Sequence, residues 1–425
     1  MKACAGGFLF MIALMMLAAS ALFRFDKWHA LEPELITECD AASCFTACDG
    51  SLLSAAGPVK RIWIGIDEIT TVTRNAFIAV EDSRFYEHSG IDVKRVFGAA
   101  LADLKAHGFV QGASTISQQL IKLSHLSTEK SVDRKLEEAV LAMELERNYT
   151  KDEILEMYLN YAYFGGGFYG IEAAALGYFG VHASCLTPAQ SATLAGLLKS
   201  PSRYAPHIDP DVSRERRNTV LRLMREQGYL TETEYRRAAE EALTLSPAPV
   251  FESSASVEYA VDEAADILQI TRDKLLRGGY TVETTIDSGI LGKARELASS
   301  DESFPCDNAQ IGIAVLRADG SIAALIGGRG SIADGGLDRA SEIERQPGSL
   351  IKPILVYAPA LETGGFTAAT VLIDEETEFD GYKPRNSDNK YSGAVTMREA
   401  AARSLNVPAV KLLESIGVET AISFA

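Results

Sequence analysis

Residues 76–92 read Ala76-Phe77-Ile78-Ala79-Val80-Glu81-Asp82-Ser83-Arg84-Phe85-Tyr86-Glu87-His88-Ser89-Gly90-Ile91-Asp92. An apolar run leads straight into two carboxylates. An acid abutting apolar side chains is desolvated, which disfavours its charged form and raises its pKa toward the range useful to a general base. An isolated Glu-Asp pair is more often the solvated edge of an amphipathic helix, so the reading depends on what else the chain carries. In Gly112-Ala113-Ser114-Thr115-Ile116-Ser117-Gln118-Gln119-Leu120-Ile121-Lys122, Ser and Thr stand at a helix start, with Lys122 further along. A helix N-terminus with free N–H groups and hydroxyls suits a phosphate oxygen. Arg134-Lys135-Leu136-Glu137-Glu138 follows a Ser131 cap, and its spacing brings Arg134 and Lys135 beside Glu138 on one helix face. That set is either a surface ion-pair network or a cationic clamp for a leaving diphosphate, with Glu138 positioning it or a divalent metal ion.

Around these stretches, residues from about 65 to 245 read as almost entirely helical. Thr150 and Glu153 form a capping box, and the run that follows stops at Gly165-Gly166-Gly167. Thr187-Pro188 opens another helix, residues 210–227 form a charged amphipathic one stopped by Gly228, and Thr231 starts the next. The texture changes after the Pro-containing stretch at 244–250. Residues 280–286 alternate, and apolar strands at 311–316 and 321–326 meet around Asp319-Gly320, a hairpin signal. Helices follow near 349–362 and 395–404. The expected architecture is multi-domain: an all-α domain at 61–245, a linker at 246–280, and the first part of an α+β domain at 281–425.

The chain has 425 residues, 47% of them hydrophobic, enough to bury a sizeable core. This composition excludes a disordered tail, a collagen-like repeat and a disulfide-stapled miniprotein. The formal net charge of -17 is opposite to what nucleic-acid phosphates select, so no nucleic-acid partner is expected. Residues 3–23 carry no charge and are long enough to cross a bilayer as one helix. Ala19-Ser20-Ala21 offers a signal-peptide cleavage pattern. The favoured reading is an uncleaved transmembrane helix at 1–24, then a connector at 25–60, with all that follows on the extracytoplasmic side of the cell membrane. Cys39, Cys44 and Cys48 could hold one disulfide if exported. A metal role is disfavoured, because no Cys-x-x-Cys pair is present and the six histidines are scattered.

Taken together and in order, the motifs resemble those of the peptidoglycan glycosyltransferases, the family 51 domain of class A penicillin-binding proteins. The first is Glu81-Asp82-x-x-Phe85-x-x-His88-x-Gly90-x-Asp92, the second runs from Gly112 to Gln119, and the third is Arg134-Lys135-x-x-Glu138. The fourth is Glu153-Ile154-Leu155-Glu156-Met157-Tyr158-Leu159-Asn160, continuing to Gly170-Ile171. The last, Leu186-Thr187-Pro188-Ala189-Gln190, has Gln where Glu is usual and continues to Pro201-Ser202-Arg203-Tyr204. The resemblance covers about 65–228. It implies a lysozyme-like all-α domain that polymerises lipid II into β-1,4 glycan with inversion, releasing undecaprenyl diphosphate. In that reading Glu81 is the catalytic base, and Glu138, also catalytic, acts with Arg134, Lys135 and Lys122 to neutralise charge on the diphosphate. Asp82, Phe85, His88, Ser114, Thr115, Gln118, Gln119, Lys122, Arg134, Lys135 and Asn160 make up the substrate-binding set. No cofactor is required, although Mg²⁺ or Mn²⁺ near Glu138 is compatible with it. The partners are lipid II, the growing glycan strand and the cytoplasmic membrane. Ala106-His107-Gly108-Phe109-Val110 is expected to enter the lipid headgroups.

Ser-x-x-Lys brings an amine over a hydroxyl on a helix, and it occurs at Ser127/Lys130, Ser349/Lys352 and Ser387/Lys390. Ser127 precedes the clamp helix, and Ser387 lies in a polar loop where Ser387-Asp388-Asn389 also spells an SDN triplet. Only Ser349 follows a strand-rich segment and starts a helix. Arg345-Gln346-Pro347-Gly348-Ser349-Leu350-Ile351-Lys352-Pro353 resembles the nucleophile motif of penicillin-binding transpeptidases, and Ser404-Leu405-Asn406 resembles their Ser-x-Asn motif, leaving 387–389 as a decoy. The implied fold is serine β-lactamase/transpeptidase-like. Ser349 would be acylated by a D-Ala-D-Ala stem peptide or a β-lactam, Lys352 would assist proton transfer, and Ser404 and Asn406 would line the site. The family's Lys-Thr/Ser-Gly motif is absent from the chain, and residues 407–425 end mid-domain. The chain is therefore expected to be a piece of a longer protein, or one that has lost transpeptidation, and as it stands not to form a working acyl-enzyme.

Two rival functions remain open at this point. A non-catalytic cell-wall scaffold would keep the fold, but would have no need of both Glu81 and Glu138. A glycan-cleaving hydrolase using Glu81 as acid would have no need of a diphosphate clamp.

Overall fold

Short polar caps set most helix starts in the computed structural model, which describes residues 30–97, 114–126, 131–245, 250, 251, 253–300, 302, 304, 306, 309–329, 337–363 and 365–425. The expected membrane helix, the 106–110 segment, Gly112-Ala113 and the Ser127/Lys130 pair lie outside the described residues. The chain divides into two compact units, Met1–Glu342 and Ile343–Ala425. Among the described residues no helix is long and apolar enough to cross a membrane.

After a short helical turn at Glu34–Thr37, the first unit forms two antiparallel strands, β1 (Ser43–Thr46) and β2 (Leu52–Ala56), and then β3 (Lys60–Arg61). Helix α1 (Thr71–Glu81) starts at Thr70, whose hydroxyl accepts from the Thr73 N–H. Thr115 opens α2 (Ile116–Ser124), Ser131 opens α3 (Val132–Asn148), and Thr150 with Glu153 opens α4 (Lys151–Tyr161) through a capping box. Next come β4 (Tyr163–Gly165), β5 (Phe168–Tyr169), α5 (Ile171–Phe179) and α6 (Pro188–Leu197). Thr187 and Gln190 close a capping box on α6. α7 (Pro210–Glu226) and α8 (Glu232–Glu240) complete the helical part. Their apolar stripes meet in one core that includes Phe77, Leu120, Leu145, Leu155, Phe164, Leu194 and Leu221, all fully buried. Burial of such stripes is the main source of a helical domain's stability.

Two expectations need correction. The helical domain is not purely α: β3, β5 and β4 form a small sheet in that order. Gly165, Gly166, Gly167 and Gly170 all have positive φ, which lets the chain reverse within a few residues and pair with itself. The 25–60 stretch is also more than a connector. Its β1 pairs in parallel with β6 (Thr281–Glu283), far along the chain, in a β2-β1-β6 sheet. A pairing this distant leaves no local signature.

The first unit continues with α9 (Ala255–Leu268), α10 (Arg272–Arg277) and α11 (Ser288–Ser299), then the antiparallel pair β7 (Ile313–Leu316) and β8 (Ile322–Ile326) around Asp319-Gly320. In the second unit a helical stretch from Gly348 to Glu362 precedes β9 (Val371–Asp374) and its antiparallel partner β10 (Gly393–Thr396). α12 (Met397–Ala402), α13 (Asn406–Ile416) and α14 (Val418–Phe424) follow, and Tyr357, Leu372, Val395, Leu405 and Leu412 share its core.

Gly90 ties the first motif to α3. Its φ is +90°, and a Cβ there would lie 2.8 Å from the Ala142 backbone. Gly90→Ala is therefore expected to destabilise the domain by about 2 kcal/mol or more, read as a lower Tm. An unchanged Tm would contradict this packing.

Candidate active site

Glu81 is the last residue of α1 and Asp82 is its C-cap. Asp82 is fully buried. Its Oδ2 accepts the Ile116 N–H at the start of α2 (3.0 Å) and lies 3.0 Å from His88 Nε2. A buried carboxylate there is favoured by the positive end of the helix dipole. Glu81 is only half-buried. Its Oε2 accepts from Gln119 Nε2 at 2.9 Å, and Gln119 Oε1 accepts from the Tyr158 hydroxyl at 3.1 Å. Desolvation raises the Glu81 pKa above the usual glutamate value. The Gln119 hydrogen bond and the Arg216 and Arg95 charges pull it down, and Asp82 pushes it up, with a net rise.

The cationic set is assembled as the spacing implies. Glu138 is 1% exposed; Lys135 contacts its Oε1, and Arg134 Nη1 lies 3.3 Å from its Oε2. Lys135 Nζ also donates to Ser114 Oγ at 2.9 Å. Three ties therefore converge on one short segment: Gln119 holds Glu81, the Ile116 N–H holds Asp82, and Ser114 holds Lys135. The start of α2 joins the acid pair to the clamp. Lys122 is exposed, one turn beyond Gln119 on the same helix.

The motif residues divide by burial. Glu81, Ser114, Gln119, Lys122, Arg134 and Lys135 reach the surface. The others face inward. Phe85 is fully buried, its ring T-shaped to that of His88 and the Lys151 ammonium 4.4 Å from its centroid. His88 keeps a side-chain exposure of 6%, its Nδ1 3.7 Å from Glu146. Thr115 Oγ1 donates to Gly90 O (2.6 Å), and Gln118 Oε1 accepts the Thr115 N–H. Asn160 is pinned to the backbone, accepting from Ile64 N (3.0 Å) and donating to Ile64 O (2.8 Å). Asp82, Phe85, His88, Thr115, Gln118 and Asn160 have polar atoms or rings enclosed by protein and shape the loop and helices around Glu81. Arg95, Arg216 and Tyr158 belong to the Glu81 environment; Tyr158 stands in the fourth motif, whereas Arg95 and Arg216 carry no local sequence signal, Arg216 sitting in Arg214-Glu215-Arg216-Arg217, which reads only as a charged helix face.

In the second unit Lys352 Nζ donates to Ser404 O (2.8 Å), Ser404 Oγ (3.3 Å) and Asn406 Oδ1 (2.5 Å). Burial lowers the Lys352 pKa. Ser404 holds a φ of +55°, a conformation rare for a residue with a side chain. Asn386 supports this arrangement, accepting the Asn406 N–H (2.8 Å) and donating to the buried Asp374. Ser349 is exposed in the first turn of its helical stretch, one turn before Lys352. Ser387 lies exposed in a turn closed by Asn389 N donating to Asn386 O.

No group of three His, Cys, Asp or Glu side chains among the described residues could hold a metal ion. Both Glu138 oxygens already face cations, so this set does not fit a resident divalent ion. Cys39, Cys44 and Cys48 are free thiols, and burial pushes Cys44 up to about 11.

Residues 49–225 match the Transglycosylase family, and residues 317–425 match the family described as Penicillin binding protein transpeptidase domain. Penicillin-binding protein 1F of Bacillus subtilis is 42% identical over 369 residues, 85% of this chain and 51% of that protein. Penicillin-binding protein 1A/1B of the same organism is 39% identical over 392 residues, 89% of this chain and 42% of that protein. The chain spans about half the length of these two relatives. Penicillin-binding protein 1A of Streptococcus oralis is 34% identical over 430 residues, covering 98% of this chain and 67% of that protein. With both families matched in this order and two thirds of a relative covered, the chain belongs to the class A penicillin-binding proteins.

Proposed function

We propose that the first unit polymerises lipid II, joining its disaccharides through β-1,4 bonds at the outer face of the cytoplasmic membrane. The observation that carries this reading is the convergence of Glu81 and the Arg134-Lys135-Glu138 set on residues 114–119. Glu81 takes the proton from the 4-hydroxyl of the incoming disaccharide as that oxygen attacks the anomeric carbon of the growing strand. The bond from that carbon to the diphosphate breaks with its electron pair, and an α-linkage becomes a β-linkage. Arg134, Lys135 and Lys122 neutralise the departing diphosphate, and Glu138 holds the first two in place. No resident cofactor enters this scheme. Residues 3–23 would keep the site at the bilayer that holds its substrate, and the helical domain would share a lysozyme-like cleft. The second unit would acylate Ser349 with a stem peptide or β-lactam in a protein that also carries a Lys-Thr/Ser-Gly strand, with Lys352, Ser404 and Asn406 as its partners.

Incubation of the purified protein with lipid II, followed by product sizing, tests the reading. Long glycan supports it. Absence of reaction would favour a scaffold, and shortening of added glycan a hydrolase.

The base must be ionised to act, and its pKa is raised. Activity should therefore be complete above that raised value and lost as pH falls through it. A profile of kcat/KM against pH is expected to show an acid limb above the ordinary glutamate value of about 4.3. A limb at or below that value would contradict the desolvated-base assignment.

A further inference from the structure

We propose that Tyr158 is the positioning residue that orients the Gln119 side chain and, through it, the base Glu81. This rests on the reading of Glu81 as base. Tyr158 lies on α4 and is 1% exposed. Its hydroxyl donates to Gln119 Oε1 at 3.1 Å, and Gln119 Nε2 donates to Glu81 Oε2 at 2.9 Å.

A carboxamide can sit in two nearly isosteric orientations that exchange its oxygen and nitrogen. Only one gives an N–H to the Glu81 carboxylate; the other turns a carbonyl oxygen toward it. The buried phenol decides between them. It stays protonated, because burial and the nearby Glu81 and Asp82 charges raise its pKa well above the usual tyrosine value. Its one proton therefore draws the amide oxygen to itself and directs the amide nitrogen at the base. A buried hydroxyl so placed would otherwise lack a partner, which is costly. Tyr158 does not touch the reacting atoms, so its effect passes through Gln119.

Tyr158→Phe keeps the ring and removes the proton that fixes the amide. A donor to an ionised carboxylate lowers its pKa, so weakening that donor raises the Glu81 pKa. The other charged groups facing Glu81 are Asp82 at the end of the same helix, Arg95 in the 93–97 helical segment and Arg216 on α7. None of them changes in the variant. The acid limb of kcat/KM should therefore move to higher pH. The plateau kcat should fall about fivefold, with KM changed less than about twofold.

The test is the pH profile of lipid II polymerisation for the wild type, Tyr158→Phe, Gln119→Ala and the double variant. Both single variants should shift the limb in the same direction, and Tyr158→Phe should add no shift in the Gln119→Ala background. A wild-type limb that Tyr158→Phe leaves in place, or a full additional shift in the double variant, would overturn the proposal, since a packing role alone would lower Tm without moving the limb. If Tyr158→Phe does not fold, Gln119→Ala decides alone: an unmoved limb overturns the proposal and a raised one supports it. A wild-type protein that makes no glycan would instead overturn the underlying function.

Discussion

Glu81→Gln is expected to abolish glycan polymerisation, with kcat reduced by about a thousandfold. The substitution keeps size and shape, and the site is already built to contact an amide, since Gln119 faces residue 81 at 2.9 Å. On the proposed mechanism, what it removes is the lone pair that takes the sugar hydroxyl's proton. Asp82 cannot take over this role. It is fully buried, and its Oδ2 is engaged by the Ile116 N–H and by His88. Single-turnover rates with lipid II, together with an unchanged Tm, would separate lost chemistry from lost fold. A folded Glu81→Gln variant that still makes long glycan would refute the base assignment.

The second large effect is expected at the clamp. Arg134→Gln combined with Lys135→Gln should reduce kcat/KM by about a hundredfold or more, because the site would lose the charges facing a diphosphate that becomes more anionic as it departs. Glu138 makes the same substitution informative about folding. With 1% exposure and both oxygens facing these two cations, it would be left as a buried carboxylate without counter-charge. A lower Tm should therefore accompany the kinetic loss. Glu138→Gln in the same background should recover the Tm without the rate. Rates that stay near wild type in the double variant would show that the diphosphate is held elsewhere.

Much of this was legible in the sequence, for local reasons. Thr150/Glu153, Thr187-Pro188 and Thr231 each announced a helix start, because a cap or a proline at the first helical position acts within one turn. The grouping of Arg134, Lys135 and Glu138 follows from helix periodicity alone. Facing direction was not legible at a loop. The first motif supplies Glu81 at the surface but Phe85 and His88 in the interior, and only the packing against Glu146 and Lys151 shows this. The same holds for Asn160, whose amide joins α4 to Ile64. Parallel pairing of β1 with β6, and the approach of Arg216 to Glu81, depend on chain segments brought together from far apart, which no spacing rule encodes.

The most direct measurement is a structure of the protein bound to an unreactive lipid II analogue. The diphosphate is predicted to lie within hydrogen-bond reach of Arg134, Lys135 and Lys122, with a sugar hydroxyl at Glu81 and the α2 start between them. A diphosphate bound on another face, with Glu81 touching no sugar, would contradict a single site built around residues 114–119.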